Sequence, residues 1–128
     1  MESTYKRACT AARILDDKKA QNIVILDISK VSVLADYFVI ASAQTSTQVK
    51  ALTGDVRELT KKYFSLLPAG EENDVKNRWN LLDYGDVVVH VLHHEERETY
   101  ALEKFWSHAF TVKEAEWKDV SKEYAIYE

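Results

Sequence analysis

The chain has 128 residues, 46% of them hydrophobic and 11% aromatic, enough to fill one core without disulfides or metal staples. A formal net charge of −4, with Lys and Arg scattered rather than gathered in a stripe, argues against broad binding to a phosphate backbone. Cys9 is the only cysteine, which excludes an internal disulfide and a cysteine-based zinc cluster. No apolar run approaches the ~20 residues that span a bilayer, and no secretory segment is evident, so the expectation is a soluble, cytoplasmic protein.

Residues 3–19 carry Tyr5, Ala8, Cys9, Ala12 and Leu15 at helical spacing, with Ser3 or Thr4 available as N-cap. Cys9 falls on that buried stripe and reads as a small core residue, since no neighbour lowers its pKa. A nearly continuous aliphatic run at 22–28 predicts a strand covered on both faces, and residues 35–42 predict a second. Thr45 and Gln48 then have the spacing of a capping box. They precede a helix whose seam is Val49, Leu52, Val56, Leu59 and Tyr63, a face for a sheet or another helix. Pairs such as Lys18-Lys19 and Lys61-Lys62 suit helix C-termini.

Pro68 is expected to end this second helix, and residues 69–77 read as a mobile polar loop. Residues 79–84 and 86–92 predict two strands joined by a tight, antiparallel connection at Gly85. A helix from about Thr99 is expected to carry Leu102, Phe105 and Trp106. Trp117, Val120 and Tyr124 have helical spacing, but the charges around them leave open a loosely attached helix or a frayed end. The division is therefore a domain over 1–109 and an extension over 110–128. The order of helices and strands predicts an α/β fold with a mixed β-sheet flanked by helices. Three helices on such a sheet can leave an open surface suited to docking.

His90, His93, His94 and His108 invite a metal site, but alternation along a strand puts His93 and His94 on opposite sides unless the strand has ended. No metal or cofactor is therefore expected. Asp27, Asp83 and Asp86 could form a magnesium-binding carboxylate set for nucleotidyl or phosphoryl transfer. The three glycines, at 54, 70 and 85, build no phosphate-cradling loop, and Asp at a turn commonly caps backbone amides. Ser42, His90 and Asp83 lack the nucleophile elbow that a hydrolytic triad needs.

What remains is a concentration of acids beside large aromatics. Residues 71–103 hold nine Asp or Glu against three Lys or Arg, a net −6, so the rest of the chain carries +2. Trp106 reads as core, whereas Trp79, at a strand rim beside acids, reads equally as core or as an interface anchor for a basic partner, and the Tyr100 hydroxyl calls for a hydrogen-bond partner either inside the fold or on a binding protein.

These residues resemble those of the ribosomal silencing factor family, also called Iojap-related proteins. The resemblance rests on Asp27-Ile28, the run 35–42, Gln48, Pro68, Glu72, Trp79-x-Leu-Leu-Asp-x-Gly-Asp86, Val88-Val-His90, Arg97, Tyr100, Leu102-Glu103 and Trp106. It departs from the family at Glu72-Asn73, where Glu-Gly is frequent, and at Ala43, where glycine is common. The resemblance implies a nucleotidyltransferase-like fold without transferase activity. It also implies binding to large-subunit ribosomal protein fourteen, steric exclusion of the small subunit when nutrients are short, and homodimer formation. The contact set it suggests is Trp79, Leu81, Asp83, Tyr100, Leu102 and Glu103. The alternative is the magnesium-dependent transferase using Asp27, Asp83 and Asp86.

Overall fold

The computed structural model describes residues 3–105 and 107–126. Trp106, expected in the core, lies outside the described residues.

Helix α1 (Thr4–Asp17) opens on Ser3, whose hydroxyl accepts the Lys6 N–H, and buries Ala8, Cys9, Ala12 and Leu15 as the spacing predicts. Strands β1 (Gln21–Asp27) and β2 (Tyr37–Ala43) pair antiparallel. Helix α2 (Ser46–Phe64) is capped by Thr45, which accepts the Gln48 N–H at 3.1 Å. The reciprocal bond is displaced by one residue, because Gln48 Oε1 takes the N–H of Gln44 at 3.4 Å. Val49, Leu52 and Val56 are fully buried, with Leu59 and Tyr63 packed at the edge of the same cluster.

Pro68 is not what stops α2. The helix ends four residues earlier, where Ser65 adopts a left-handed conformation (φ 55°) and returns its N–H to Lys61. The polar segment that follows is also not simply a loop. Residues Gly70–Asn73 form an edge strand, β3, antiparallel to β4 (Trp79–Asp83). Arg57 of α2 holds it by two bonds to the Glu71 carboxylate, at 2.7 and 2.5 Å. β4 turns at Gly85 (φ 89°) into β5 (Val87–His93), antiparallel as expected.

β5 runs parallel to β2, with α2 crossing between them, and the six-stranded sheet has the order β3-β4-β5-β2-β1-β6. It is the mixed α/β sheet that the element order predicts. Helix α3 (His94–Tyr100) begins five residues before Thr99, because the His93 side chain accepts the Glu95 N–H. Thr99 caps nothing; its hydroxyl donates back to the Glu95 carbonyl. Ala101, left-handed at φ 43°, separates α3 from the short α4 (Leu102–Phe105).

The C-terminal residues are built into the structure. β6 (Phe110–Val112) pairs with β1, and α5 (Glu114–Val120) packs on α1, burying Trp117 to 2% exposure. Arg13 bonds the Ser121 hydroxyl at 2.9 Å and the Lys118 carbonyl at 2.6 Å. A 3₁₀ turn (Lys122–Tyr124) follows, and the Ile126 N–H reaches Asp17.

The two sheet faces are used differently. One carries α1, α2 and α5 over a large core that includes Val39, Ala41, Val89 and Val91. The other has a smaller cluster of Leu26, Phe38, Ile40, Val88 and Leu92, with Trp79, Leu81 and Leu102 half-buried against it. Among the described residues, no helix is long and apolar enough to cross a membrane.

Candidate partner-binding face

Strand pleating sorts the predicted residues. Along β4, Trp79, Leu81 and Asp83 point to the thinly covered face, while Asn80 and Leu82 point toward α2. Asn80 is fully satisfied there, donating to Thr53 and Asn77 and accepting from Asp74. Leu81 lies opposite His90, and Trp79 opposite Leu92.

Trp79 is the hub of this face. Its ring meets Tyr100 at 4.9 Å between centroids, and Tyr100 is 49% exposed. The indole N–H is not left for a partner, since it donates to Nδ1 of His90 at 3.2 Å. Trp79 is therefore half-buried: its nitrogen is engaged inside and part of its ring lies at the surface.

On one side of this pair lies a hollow of about 310 Å³ lined by Leu34, Phe38, Leu81, Val88 and His90, with Glu72 and Asp83 at its rim. On the other, Trp79 and Tyr100 border a more polar depression of about 480 Å³ with Lys76, Arg78 and Glu96. Leu102 packs on the smaller core cluster. Glu103 ion-pairs with the buried Arg97 at 3.2 Å, which ties α4 back to α3. Of the six expected residues, Trp79, Leu81 and Leu102 pack on the cluster of this face, Asp83 and Tyr100 border its hollows, and Glu103 is engaged by Arg97.

Charge is redistributed relative to the linear sequence. Glu71 pairs with Arg57, Glu95 and Glu96 with Arg78, and Asp86 with Arg7. The Arg57 guanidinium holds the Glu71 carboxyl below its usual range. Among the described residues no cation lies within ion-pair reach of Glu72 or Asp83, so negative charge remains at the hollow's rim.

Residues Phe38, Val88 and His90 belong to this face although they were not in the expected contact set. Val88 and His90 enter through the antiparallel β4–β5 register, opposite Asp83 and Leu81, and Phe38 through the parallel β2–β5 register, opposite Val88. For Val88 and His90 the usable signal was parity with Asp83 and Leu81 across the Gly85 turn, whereas only the observed pairing places Phe38. His90 is 5% exposed, and burial pushes its imidazole down to about 4, so it is neutral near pH 7. Its ring meets Phe38 edge-on at 4.7 Å.

The other candidate chemistries find different geometry. β5 ends at His93, so strand alternation does not separate His93 from His94 as expected. Their rings stack at 4.5 Å, and one ligand atom from each, with one from Glu95, lies within 4.8 Å of the others. These groups have work already: His93 Nδ1 caps α3 and Glu95 pairs with Arg78 at 3.2 Å. Asp27, Asp83 and Asp86 do not converge. Asp27 accepts from Ser29, Asp83 caps Gly85, and Asp86 takes Thr4 and Arg7 on the helical side. Asp27 and Asp83 stand on strands three steps apart in the sheet, roughly 14 Å by strand spacing. Burial pushes the Cys9 thiol up to about 11, consistent with a core role.

The family model "Ribosomal silencing factor during starvation" matches residues 1–126. The chain belongs to the ribosomal silencing factor family. It is 40% identical over 99 residues to the ribosomal silencing factor RsfS of Bacillus subtilis, covering 77% of this chain and 83% of that one. Against the factor of the same name from Halalkalibacterium halodurans it is 38% identical over 103 residues, 80% of this chain and 87% of that one. A solved structure of a Chromobacterium violaceum protein superposes with a TM-score of 0.78 at 32% identity, covering 83% of this chain and 88% of that one. The relatives are named for a regulatory role, and the silencing-factor match extends through β6 and α5.

Proposed function

We propose that the protein binds the large ribosomal subunit through ribosomal protein fourteen and blocks joining of the small subunit, repressing translation under nutrient limitation. The observation that carries this reading is the gathering of Trp79, Leu81, Asp83 and Tyr100 on a sheet face that the main helical layer leaves uncovered. An aromatic centre with an acidic rim suits a basic protein surface, where buried rings supply affinity and charge supplies orientation and speed. Such a factor acts by affinity and bulk, without turnover. The separated carboxylates Asp27, Asp83 and Asp86 favour it over the transferase alternative. Homodimer formation and residence in the cytoplasm belong to the same reading.

The test is a subunit-joining assay with purified small and large subunits. Saturating protein is expected to suppress joining, and Trp79→Ala to weaken large-subunit association by about 2 kcal/mol while the domain still unfolds cooperatively. Full joining at saturating protein would overturn the proposal.

A further inference from the structure

His90 occupies an odd place for a polar side chain. It stands in the middle of β5, 5% exposed, on a face otherwise formed by Phe38, Leu81, Val88 and Leu92. Its Nδ1 accepts the Trp79 indole N–H, so the imidazole proton of the neutral ring sits on Nε2. That second nitrogen is buried and has no hydrogen-bond partner among the described residues. A buried donor without an acceptor costs stability, and an apolar ring of similar size would avoid that cost. Fold stability therefore does not account for an imidazole here, and the bond to Trp79 does.

We propose that His90 is a positioning residue for partner binding, its imidazole fixing the Trp79 indole in the orientation that presents the ring, against Tyr100, to the partner. The inference rests on the reading of this face as the ribosome-binding surface. Without an acceptor at Nδ1, the indole N–H would be buried unpaired, and the ring would gain by turning to bring that nitrogen to water. A turned ring loses its contact with Tyr100 at 4.9 Å and reshapes the boundary between the two hollows. His90 need not touch the partner to do this.

Two variants separate positioning from packing. His90→Phe keeps a ring of similar size but removes the acceptor. His90→Asn removes the ring but can place its amide oxygen where Nδ1 stood, leaving the indole N–H paired. The readouts are urea unfolding, solvent exchange of the Trp79 indole proton by NMR, and association with purified large ribosomal subunits. For His90→Phe we expect unchanged or greater resistance to urea, faster indole exchange and roughly tenfold weaker association. For His90→Asn we expect lower stability, a protected indole proton and association within about threefold of wild type. A packing role gives the opposite order, with association following stability. Wild-type association by His90→Phe, or equal losses in both variants, would overturn the inference and leave the ribosomal reading standing. No association by the wild-type protein would overturn the ribosomal reading and this inference with it.

Discussion

Acidification is expected to weaken the fold through His90 before it reaches most carboxylates. In the native protein burial holds this imidazole at about 4, against an ordinary 6.5. The unfolded chain therefore takes up a proton as the pH falls through 6.5, whereas the folded chain refuses it until near 4. Stability contributed by the neutral ring is fully present above 6.5 and is lost across that window, at about 1.4 kcal/mol per pH unit in its middle. Between pH 7 and 4.5 the loss comes to about 2.5 kcal/mol, a large share of the 5–15 kcal/mol typical of a domain. The side chain is 5% exposed, so solvent screening takes little from this figure. Urea unfolding at pH 7, 6, 5 and 4.5 measures the slope in wild type and His90→Phe. Glu72 and Asp83, which border the same hollow from β3 and β4, are present in both proteins, so their contributions largely cancel in the difference. The variant is expected to lose about 2.5 kcal/mol less than wild type over this range. Parallel slopes would refute the reasoning, showing that the site is wetter than its burial implies.

Three further outcomes follow from particular contacts. Trp117→Ala is expected to cost about 3–5 kcal/mol in urea unfolding, because a fully buried indole between α5 and the main core leaves a cavity. A change below about 1 kcal/mol would mean that α5 is only loosely attached. Burial alone would raise Asp86, but the Thr4 hydroxyl and Arg7 guanidinium outweigh it and hold the carboxyl below its ordinary range. Asp86→Asn is therefore expected to lower stability by about 1–3 kcal/mol at neutral pH, with the difference from wild type shrinking as acid protonates Asp86. Association with large subunits is expected to slow as salt rises, measured by stopped-flow mixing, because Glu72 and Asp83 steer a basic surface only within a Debye length.

The parts of the fold that could be read from residues alone are those where burial imposes a period. α1 and α2 show apolar seams because each lays one face on the sheet, and β2 and β5 read as nearly continuous apolar runs because almost every residue along these central strands is buried. β3 shows neither. Gly70-Glu-Glu-Asn73 is held by pairing with β4 and by Arg57, which is fourteen residues from Glu71 in the chain. α3 is similar: among its residues only Arg97 is buried, and its start is set by a histidine cap outside the usual Ser, Thr, Asp and Asn. Trp117 had the right spacing, but its heavily charged neighbours concealed how deeply one ring anchors the segment.

The candidate face divides along the same line. Trp79, Leu81 and Asp83 share a side because they are separated by two residues on one strand, a relation visible in the chain itself. Val88 and His90 join them across the β4–β5 hairpin, whereas Phe38 joins only through a parallel pairing between strands separated in the chain by α2, β3 and β4, so its proximity is a property of topology. The same topology leaves this face more thinly covered than the other. α1, α2 and α5 cover one side and enclose Trp117 within an apolar core that includes Val39, Val89 and Val91. Among the described residues, the short α3 and α4 lie beyond the end of β5 on the opposite side, separated by the left-handed Ala101. Tyr100 stands at that break with its ring against Trp79.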